Sequence, residues 1–455
     1  MTRLALLVAA TFFMEFLDGS ILTTALPKMA AAMGVHAIDL NIGVSIYALT
    51  LSIFILPGAW LVDRLGARVV FTSAIVLFTL SSALCGFSQT PAFFVFGRAL
   101  QGVGGALMVP VGRLVVLRTT PKSGLLRATA LLTWPALAAP LIGPPLGGYL
   151  TDAWSWRAIF FVNLPLGLIG ALLAFAWTPS LEKGPARPFD SVGFTLAALA
   201  LGAALLGLDE ISGAGGAAAA LALIVLAAVA AWAFARHVAR VAHPLVHLRP
   251  FQQATFRLSL TGGAAARTFI AGMPFLLPLM FQLGMGYDAL SAGLTVTPLF
   301  VGNLVIKPFT TPILRQWGFR RVLIVNAGLQ AATMFGCAAL APGSPPLAVA
   351  ALLVISGASR SMHFTALGTL PFSDTPPEDM NMANLIYSAS FQAAFAFGVG
   401  VAAALLKIGA LVTSPPLGEF RFAFVALGVL MLLAMLNHAR LAADAGLSVT
   451  RREPA

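Results

Sequence analysis

The chain has little charge. Only 9% of its 455 residues are Asp, Glu, Lys or Arg, and the acids number 16 against 27 Lys and Arg. So few polar side chains cannot cover a soluble protein of this length, and with 59% hydrophobic residues the composition excludes a set of soluble domains. Cysteine is nearly missing. Cys85 and Cys337 each sit inside an apolar run, which excludes a disulfide framework and reads as free thiols filling space. Catalytic patterns are absent as well, with no nucleophile–base, Walker or zinc-hydrolase arrangement, so neither an enzyme nor a cofactor is expected. His243 and His247 flank Pro244 in a polar loop and lack a third ligand, so no metal is expected either. Gly102 to Gly105 has no strand–helix unit around it and cannot be a dinucleotide loop. The net charge of +11 does not point to nucleic acid, because the basic residues are dispersed between apolar runs instead of gathered on one face.

What the chain has in abundance is apolar runs of bilayer length. Fourteen segments are predicted as membrane-spanning helices, near 4–26, 40–62, 69–87, 92–117, 126–150, 157–178, 189–210, 217–238, 255–283, 290–313, 320–341, 346–367, 383–406 and 421–441. The fold class expected is therefore an all-α membrane protein. An even count puts both termini on one side, and 18 Lys and Arg flank that side against 4 on the other. By the positive-inside rule both termini are cytoplasmic in a cytoplasmic (inner) membrane protein. Glu15 and Asp18 interrupt what would be the apolar region of a cleaved signal, so none is expected.

The longest polar connection, Ala239 to Ala254, divides the chain into an N-terminal bundle of six helices over 1–178, a two-helix insert with its linker over 179–254, and a C-terminal six-helix bundle over 255–455. The insert, segments seven and eight, is Ala/Leu/Gly-rich and looks lipid-facing. A faint internal repeat relates the two bundles. LVDRLGARVVF (Leu61 to Phe71) resembles LRQWGFRRVLI (Leu314 to Ile324), aligning Gly66 with Gly318 and Arg68 with Arg320. Parallel repeats of this kind build transporters whose substrate site lies at the repeat interface near the midplane.

The stretch APLIGPPLGG, Ala139 to Gly148, packs three prolines and three glycines into an uncharged decapeptide with apolar flanks. In a membrane such a stretch survives as a kinked helix whose bare faces let neighbours approach closely. Gly143, Pro144, Gly147 and Gly148 resemble the antiporter motif G-x-x-x-G-P-x-x-G-G of the major facilitator superfamily, with Ala139 in place of the first glycine. Other segments appear in the order of that superfamily's drug:proton antiporter branch with fourteen helices. They are LDGSILTTALP (Leu17 to Pro27), AWLVDRLGAR (Ala59 to Arg68), RALQGVGG (Arg98 to Gly105) and WSWRAIFFVNLPLG (Trp154 to Gly167). The resemblance implies a proton-coupled secondary transporter of two pseudo-symmetric six-helix bundles. It also implies that Asp63, Arg64, Gly66 and Arg68 hold neighbouring helices in one state and release them in the other, and that Arg98 takes part in proton coupling.

The ionisable residues deep in the apolar segments are few, and each costs several kcal/mol to place there, roughly 2.5 to 3.5 on insertion scales. Glu15 and Asp18 are three apart on one face of the first helix. Two nearby carboxylates disfavour double ionisation, so one of them is expected to take and release a proton; otherwise Asp18 pairs with a neighbouring helix and Glu15 points to water. Arg98 shares a face with Gln101. Arg267 lies in mid-helix, Arg360 and His363 share a face, and Asn303 and Lys307 are four apart. Gln101, Arg267, Asn303, Arg360 and His363 are the residues expected to line a substrate cavity. Phe12, Phe13, Phe275, Phe281 and Phe391 are placed either to stack on a ligand or to pack. The second bundle has no deep acid, which favours a substrate with negative charge, such as an organic carboxylate or its metal chelate. Two alternatives stay open: broad efflux of lipophilic cationic drugs, and a transporter-like sensor without flux. The partners expected are a small-molecule substrate, protons and the lipid bilayer, with no nucleic acid and a monomeric chain.

Overall fold

The computed structural model describes residues 2–120, 125–179, 188–211, 216–414 and 416–446, and no strand occurs among them. Lys122, Lys183, Arg187, Arg451 and Arg452, which enter the topology reading, lie outside the described residues. Among the described residues, twelve spans are long and apolar enough to cross a membrane, and Ala289–Val305 is a shorter apolar helix. Leu125–Ala153 adds a helix of 29 residues. The chain is a multi-pass membrane protein. It divides into two compact units: Met1–Gly207, Ala220–Leu245 and Asp288–Gly293 belong to the first, and Leu208–Ala219, Val246–Tyr287 and Leu294 onward to the second.

Unit 1 holds α1 (Thr2–Met33), α2 (Asn41–Phe54), α3 (Gly58–Leu65), α4 (Ala67–Gly86), α5 (Pro91–Thr119), α6 (Leu125–Ala153), α7 (Ala158–Phe161) and α8 (Asn163–Trp177), with most of α9 (Ser191–Glu210) and α10 (Gly216–Val238). Two expected segments are broken. The run 40–62 is divided between α2 and α3, where Pro57 lacks the N–H that would bond the Ile53 carbonyl. The run 157–178 is divided between α7 and α8, where Pro165 does the same to Phe161. By contrast, α6 keeps Pro135, Pro140, Pro144 and Pro145 within one helix.

Small residues set the spacing of this unit. A methyl group on Gly143 would run into Ser20 of α1, one on Gly147 into the Ile21 carbonyl, and one on Gly148 into the Ala289 carbonyl. α6 therefore packs on α1 backbone to side chain, close enough to exclude any larger residue, as small-residue interfaces in membranes do. Gly104 brings α5 equally close to α4, 2.7 Å from where its Cβ would stand to the Phe78 amide nitrogen. The core around them is built from Val8, Phe71, Phe78, Val115 and their neighbours. α10 differs, with 17% of its span buried against 67% for α1. Leu221, Val225, Val229 and Trp232 form an exposed apolar face there, which suits contact with lipid.

Unit 2 holds α11 (Ala254–Leu260), α12 (Gly262–Leu279), most of α13 (Ala289–Val305), α14 (Lys307–Ala338), α15 (Pro346–Thr369), α16 (Met380–Val412) and α17 (Gly418–His438). The expected run 290–313 ends early, at Val305, because Pro308 sits in the first turn of α14. α14 itself bends at Gly318, where φ is 73° and ψ 162°. Gly66, at the joint of α3 and α4, has φ 88° and ψ 148°, so the two glycines aligned by the sequence repeat adopt the same left-handed extended elbow. α12 carries Pro274 and Pro278 and runs into a single π-helical turn, Met280–Gly284. It packs against α16 through Gly272 and Gly398, whose Cβ positions would meet Ala402 and Ala271.

Candidate functional site

The deepest polar cluster of unit 1 is built around Asp18. Its side chain projects from the middle of α1, is 2% exposed, and accepts hydrogen bonds from three different side chains. Arg98 Nη1 donates to Oδ2 at 2.6 Å, Gln101 Nε2 donates to Oδ1 at 2.8 Å, and Asn163 Nδ2 donates to the same oxygen at 2.9 Å. Arg98 and Gln101 stand one turn apart on α5, and Arg98 Nη1 also donates to Gln101 Oε1 at 2.6 Å. Arg98 is fully buried, donates from Nε to the Gly43 carbonyl at 3.3 Å, and lays its guanidinium 4.1 Å from the centroid of the Tyr47 ring. Asn163 opens α8 and extends the cluster by donating to Ser82 Oγ at 3.0 Å. Three helices, α1, α5 and α8, therefore meet through one carboxylate, whose ion pair is supported by further hydrogen bonds, the condition under which a buried pair holds; of the Arg98 nitrogens, Nη2 alone is left without a partner.

Glu15 is treated differently. It is buried, and its Oε2 has no partner; neither has the Tyr47 hydroxyl. A methyl group on Gly105 would lie 3.3 Å from that hydroxyl and 3.5 Å from Glu15 Cδ, so both groups converge on the bare face of α5. The expected carboxylate pair is thus one paired acid and one acid with a free oxygen. Gln101, expected at the substrate cavity, instead uses both ends of its amide on Asp18 and Arg98. Asn163, Tyr47 and Gly43 were not singled out from the sequence. Asn163 stood in a quoted motif, but nothing in an apolar run 145 residues away says that it reaches Asp18.

Among the motif residues, Arg68 Nε donates to the Thr178 carbonyl at the end of α8. Asp63 and Arg64 stand on the last turn of α3, and Gly66 closes that helix by donating to the Val62 carbonyl. Gly143 and Gly147 face α1, while Gly148 and the Pro144 carbonyl face the first turn of α13 at Ala289 and Gly293. The end of α6 is fixed by Asp152, which pairs with Lys28 at 2.6 Å and accepts the Leu290 N–H at 2.8 Å.

Unit 2 holds the other expected residues. Arg267 on α12 is 1% exposed and donates from Nη2 to the Ser259 carbonyl at 2.9 Å, which the break at Thr261 leaves outside the helix ladder. Its Nε and Nη1 have no partner. Arg360 on α15 is 9% exposed, and its Nε and Nη1 are likewise unpartnered. No ion pair reaches either arginine among the described residues. His363 is fully buried with neither ring nitrogen bonded, and its ring centroid is 5.2 Å from that of His438, a neighbour the sequence did not single out. Asn303 lies on α13 where Gly302 and Gly357 bring α13 and α15 together, and Lys307 Nζ donates to Thr365 Oγ1 at 3.3 Å.

Comparison with known proteins agrees with this architecture. The family model described as Major Facilitator Superfamily matches residues 8–399. A protein of Yersinia enterocolitica named "Putative multidrug resistance protein MdtD" is 34% identical over 446 residues, covering 97% of this chain and 95% of that protein. Its namesake from Serratia proteamaculans is 34% identical over 452 residues, covering 96% and 93%. Among solved structures, a D-xylose-proton symporter superposes with a TM-score of 0.68 at 15% identity, covering 96% of this chain and 97% of the other. An auto-inhibited POT family peptide transporter superposes with a TM-score of 0.68 at 16% identity, covering 100% and 97%. At such identities the structures show the fold alone. With the family model spanning most of its length and relatives at 34% identity along nearly all of it, this chain belongs to the major facilitator superfamily of membrane transporters.

Proposed function

We propose that this chain is a proton-coupled antiporter that exports a small molecule by alternating access, with Asp18, Glu15 and Arg98 as its proton-handling group. The observation that carries the reading is the Asp18 cluster. While Asp18 is ionised, α1, α5 and α8 are joined by charge-assisted hydrogen bonds, which are about twice as strong as neutral ones. A proton on Asp18 turns the bonds from Gln101 and Asn163 into ordinary ones and leaves the Arg98 charge without its counter-ion. The unpartnered oxygen of Glu15 on the same helix face is then the nearest acid of α1 for it. One proton thus changes how tightly α1 is held, which is what coupling to a conformational cycle requires.

The names of the relatives support multidrug-type efflux as the general class. Within it, an anionic substrate is favoured by Arg267 and Arg360, buried in unit 2 with unmet donors and no counter-ion among the described residues. Arg267→Ala is expected to nearly eliminate substrate binding in protein that still folds, and Arg360→Lys to weaken it, because lysine's point charge does not replace a planar guanidinium. Efflux of lipophilic cations is the second reading, and the free oxygen of buried Glu15 is the observation that favours it. The chain acts in the inner membrane as a monomer with both termini cytoplasmic; reporter fusions at the C-terminus and between Ala239 and Ala254 should both report cytoplasm.

The deciding experiment uses proteoliposomes under an imposed pH gradient. Asp18→Asn should abolish uphill transport while substrate exchange, which needs no net proton movement, stays measurable. Wild-type uphill flux in that variant removes Asp18 from the mechanism. Binding without counterflow in the wild type would make the chain a sensor.

A further inference from the structure

A row of aromatic rings joins the two buried guanidiniums of unit 2. Arg267 Cζ is 5.1 Å from the Tyr387 ring centroid, and Tyr387 is followed by Phe391 at 6.3 Å between centroids. Phe391 is followed by Phe364 at 5.8 Å, and the Arg360 Cζ is 5.3 Å from the Phe364 centroid. The spacing in the chain produces the row: Tyr387 and Phe391 are four apart on α16, and Arg360 and Phe364 are four apart on α15, so each pair shares a helix face. All three rings are only half-buried, so part of each is left uncovered by the chain. At each end of the row, Nε and Nη1 of the arginine are buried without an acceptor.

A ring beneath a guanidinium attracts its charge but leaves its in-plane N–H groups unbonded. A buried cation with unmet donors is costly until something with acceptor oxygens arrives, and a carboxylate suits it best. The rings make a second demand, since aromatic faces and edges pair preferentially with another aromatic system. An aliphatic acid answers the arginines and not the rings. A lipophilic cation answers the rings and meets two positive charges. We infer that this row is a subsite for an aromatic carboxylate, its acid group on the Arg360 guanidinium and its ring system against Phe364 and Phe391. Arg360 takes the acid because Arg267 already spends Nη2 on Ser259. This rests on the reading of unit 2 as the anion-binding part of the transporter.

The test is equilibrium binding to the purified full chain in nanodiscs, using 2-naphthoate, its saturated counterpart decahydro-2-naphthoate, and 2-naphthylmethylamine. The two acids share charge and outline, and the saturated one is the more hydrophobic, so a merely greasy pocket would prefer it. The expected result is that 2-naphthoate binds about tenfold more tightly than the saturated acid. Phe391→Leu and Phe364→Leu should each weaken 2-naphthoate by about fivefold and leave the saturated acid unchanged. Arg360→Gln should weaken both acids by about tenfold or more. Variants are compared only as monodisperse protein. Equal binding of the two acids, with the Phe variants shifting both alike, overturns the aromatic subsite and leaves the anion reading standing. Binding of the amine and of neither acid, or of no probe at all, overturns both.

Discussion

Unit 1 surrounds its buried carboxylate with three donors, whereas unit 2 leaves four guanidinium nitrogens without an acceptor. The two regions bury their arginines about equally deeply, so burial alone does not say what a charge is for. In unit 1 the chain supplies its own counter-ion, and the arginine's work is internal, bearing on how helices are held together. In unit 2 the chain supplies rings, one backbone carbonyl and the Tyr387 hydroxyl, none of them charged, and the balancing charge has to come from elsewhere.

The contrast is broken most directly by removing each arginine in turn. Arg98→Met leaves Asp18 as an uncompensated buried charge and should destabilise the protein by about 3–5 kcal/mol. Arg360→Met removes a charge that has no acidic partner among the described residues and should change stability by less than about 1 kcal/mol or raise it. Both cysteines are buried and free, so thermal unfolding in detergent can be followed with a thiol-reactive dye; equal losses in the two variants would end the comparison.

Gly147→Leu comes next. It places a side chain against the Ile21 carbonyl of α1, and overpacking of this kind costs about 1–3 kcal/mol. Abundance and transport should both fall, whereas full activity at normal abundance would mean that α6 and α1 separate freely. Asn163→Leu is smaller, about 1–2 kcal/mol, since it leaves Asp18 Oδ1 with one donor instead of two. A loss of uphill flux without loss of exchange would put Asn163 in the coupling group, and wild-type flux would make it a spacer.

The smallest effect lies outside the membrane. Asp190 precedes α9 and accepts the N–H groups of Leu245 and Gly193 and a bond from His237 at 2.7 Å. Burial by itself would raise its carboxyl, but these bonds outweigh it and hold the group below the ordinary carboxylate range. A lowered value in the folded chain means that the stabilisation is present above the ordinary value of about 4 and is lost as pH falls through the lowered one. Asp190→Asn should therefore lower stability slightly near neutrality and flatten the acid side of the stability profile, as read by unfolding temperature against pH.

Much of this was legible in the sequence. The helical runs follow from apolar length, and the contacts of Gly143, Gly147 and Gly148 follow from bare faces within an apolar segment. Arg98 and Gln101 were readable as a pair because i,i+3 residues share a helix face. The partner of Asp18 on α8 was not, since helical periodicity gives the face of a residue on its own helix and never the identity of the helix opposite. His438 was hidden for the same reason, near the end of an apolar run and 75 positions beyond the histidine that it meets. The breaks at Pro57, Pro165 and Pro308 were visible as letters and overlooked, because in α6 four prolines cause no break at all. Neighbouring helices decide whether a proline ends a helix in a membrane.

The elbows at Gly66 and Gly318 carry one more consequence. Nothing lies within 4 Å of where a Cβ would stand on either glycine, so space does not restrict these positions; only torsion does. Their backbone values fall near a region that side chains other than hydrogen rarely enter, at a cost of about 1–3 kcal/mol. An alanine at either site therefore acts as a spring of known stiffness set at a known joint, touching nothing else. If Gly66→Ala and Gly318→Ala slow the transport cycle by the same factor, the two joints flex by the same amount in it. If only one does, the bending motion is lopsided, and the repeat has kept its shape in both copies while giving up its movement in one.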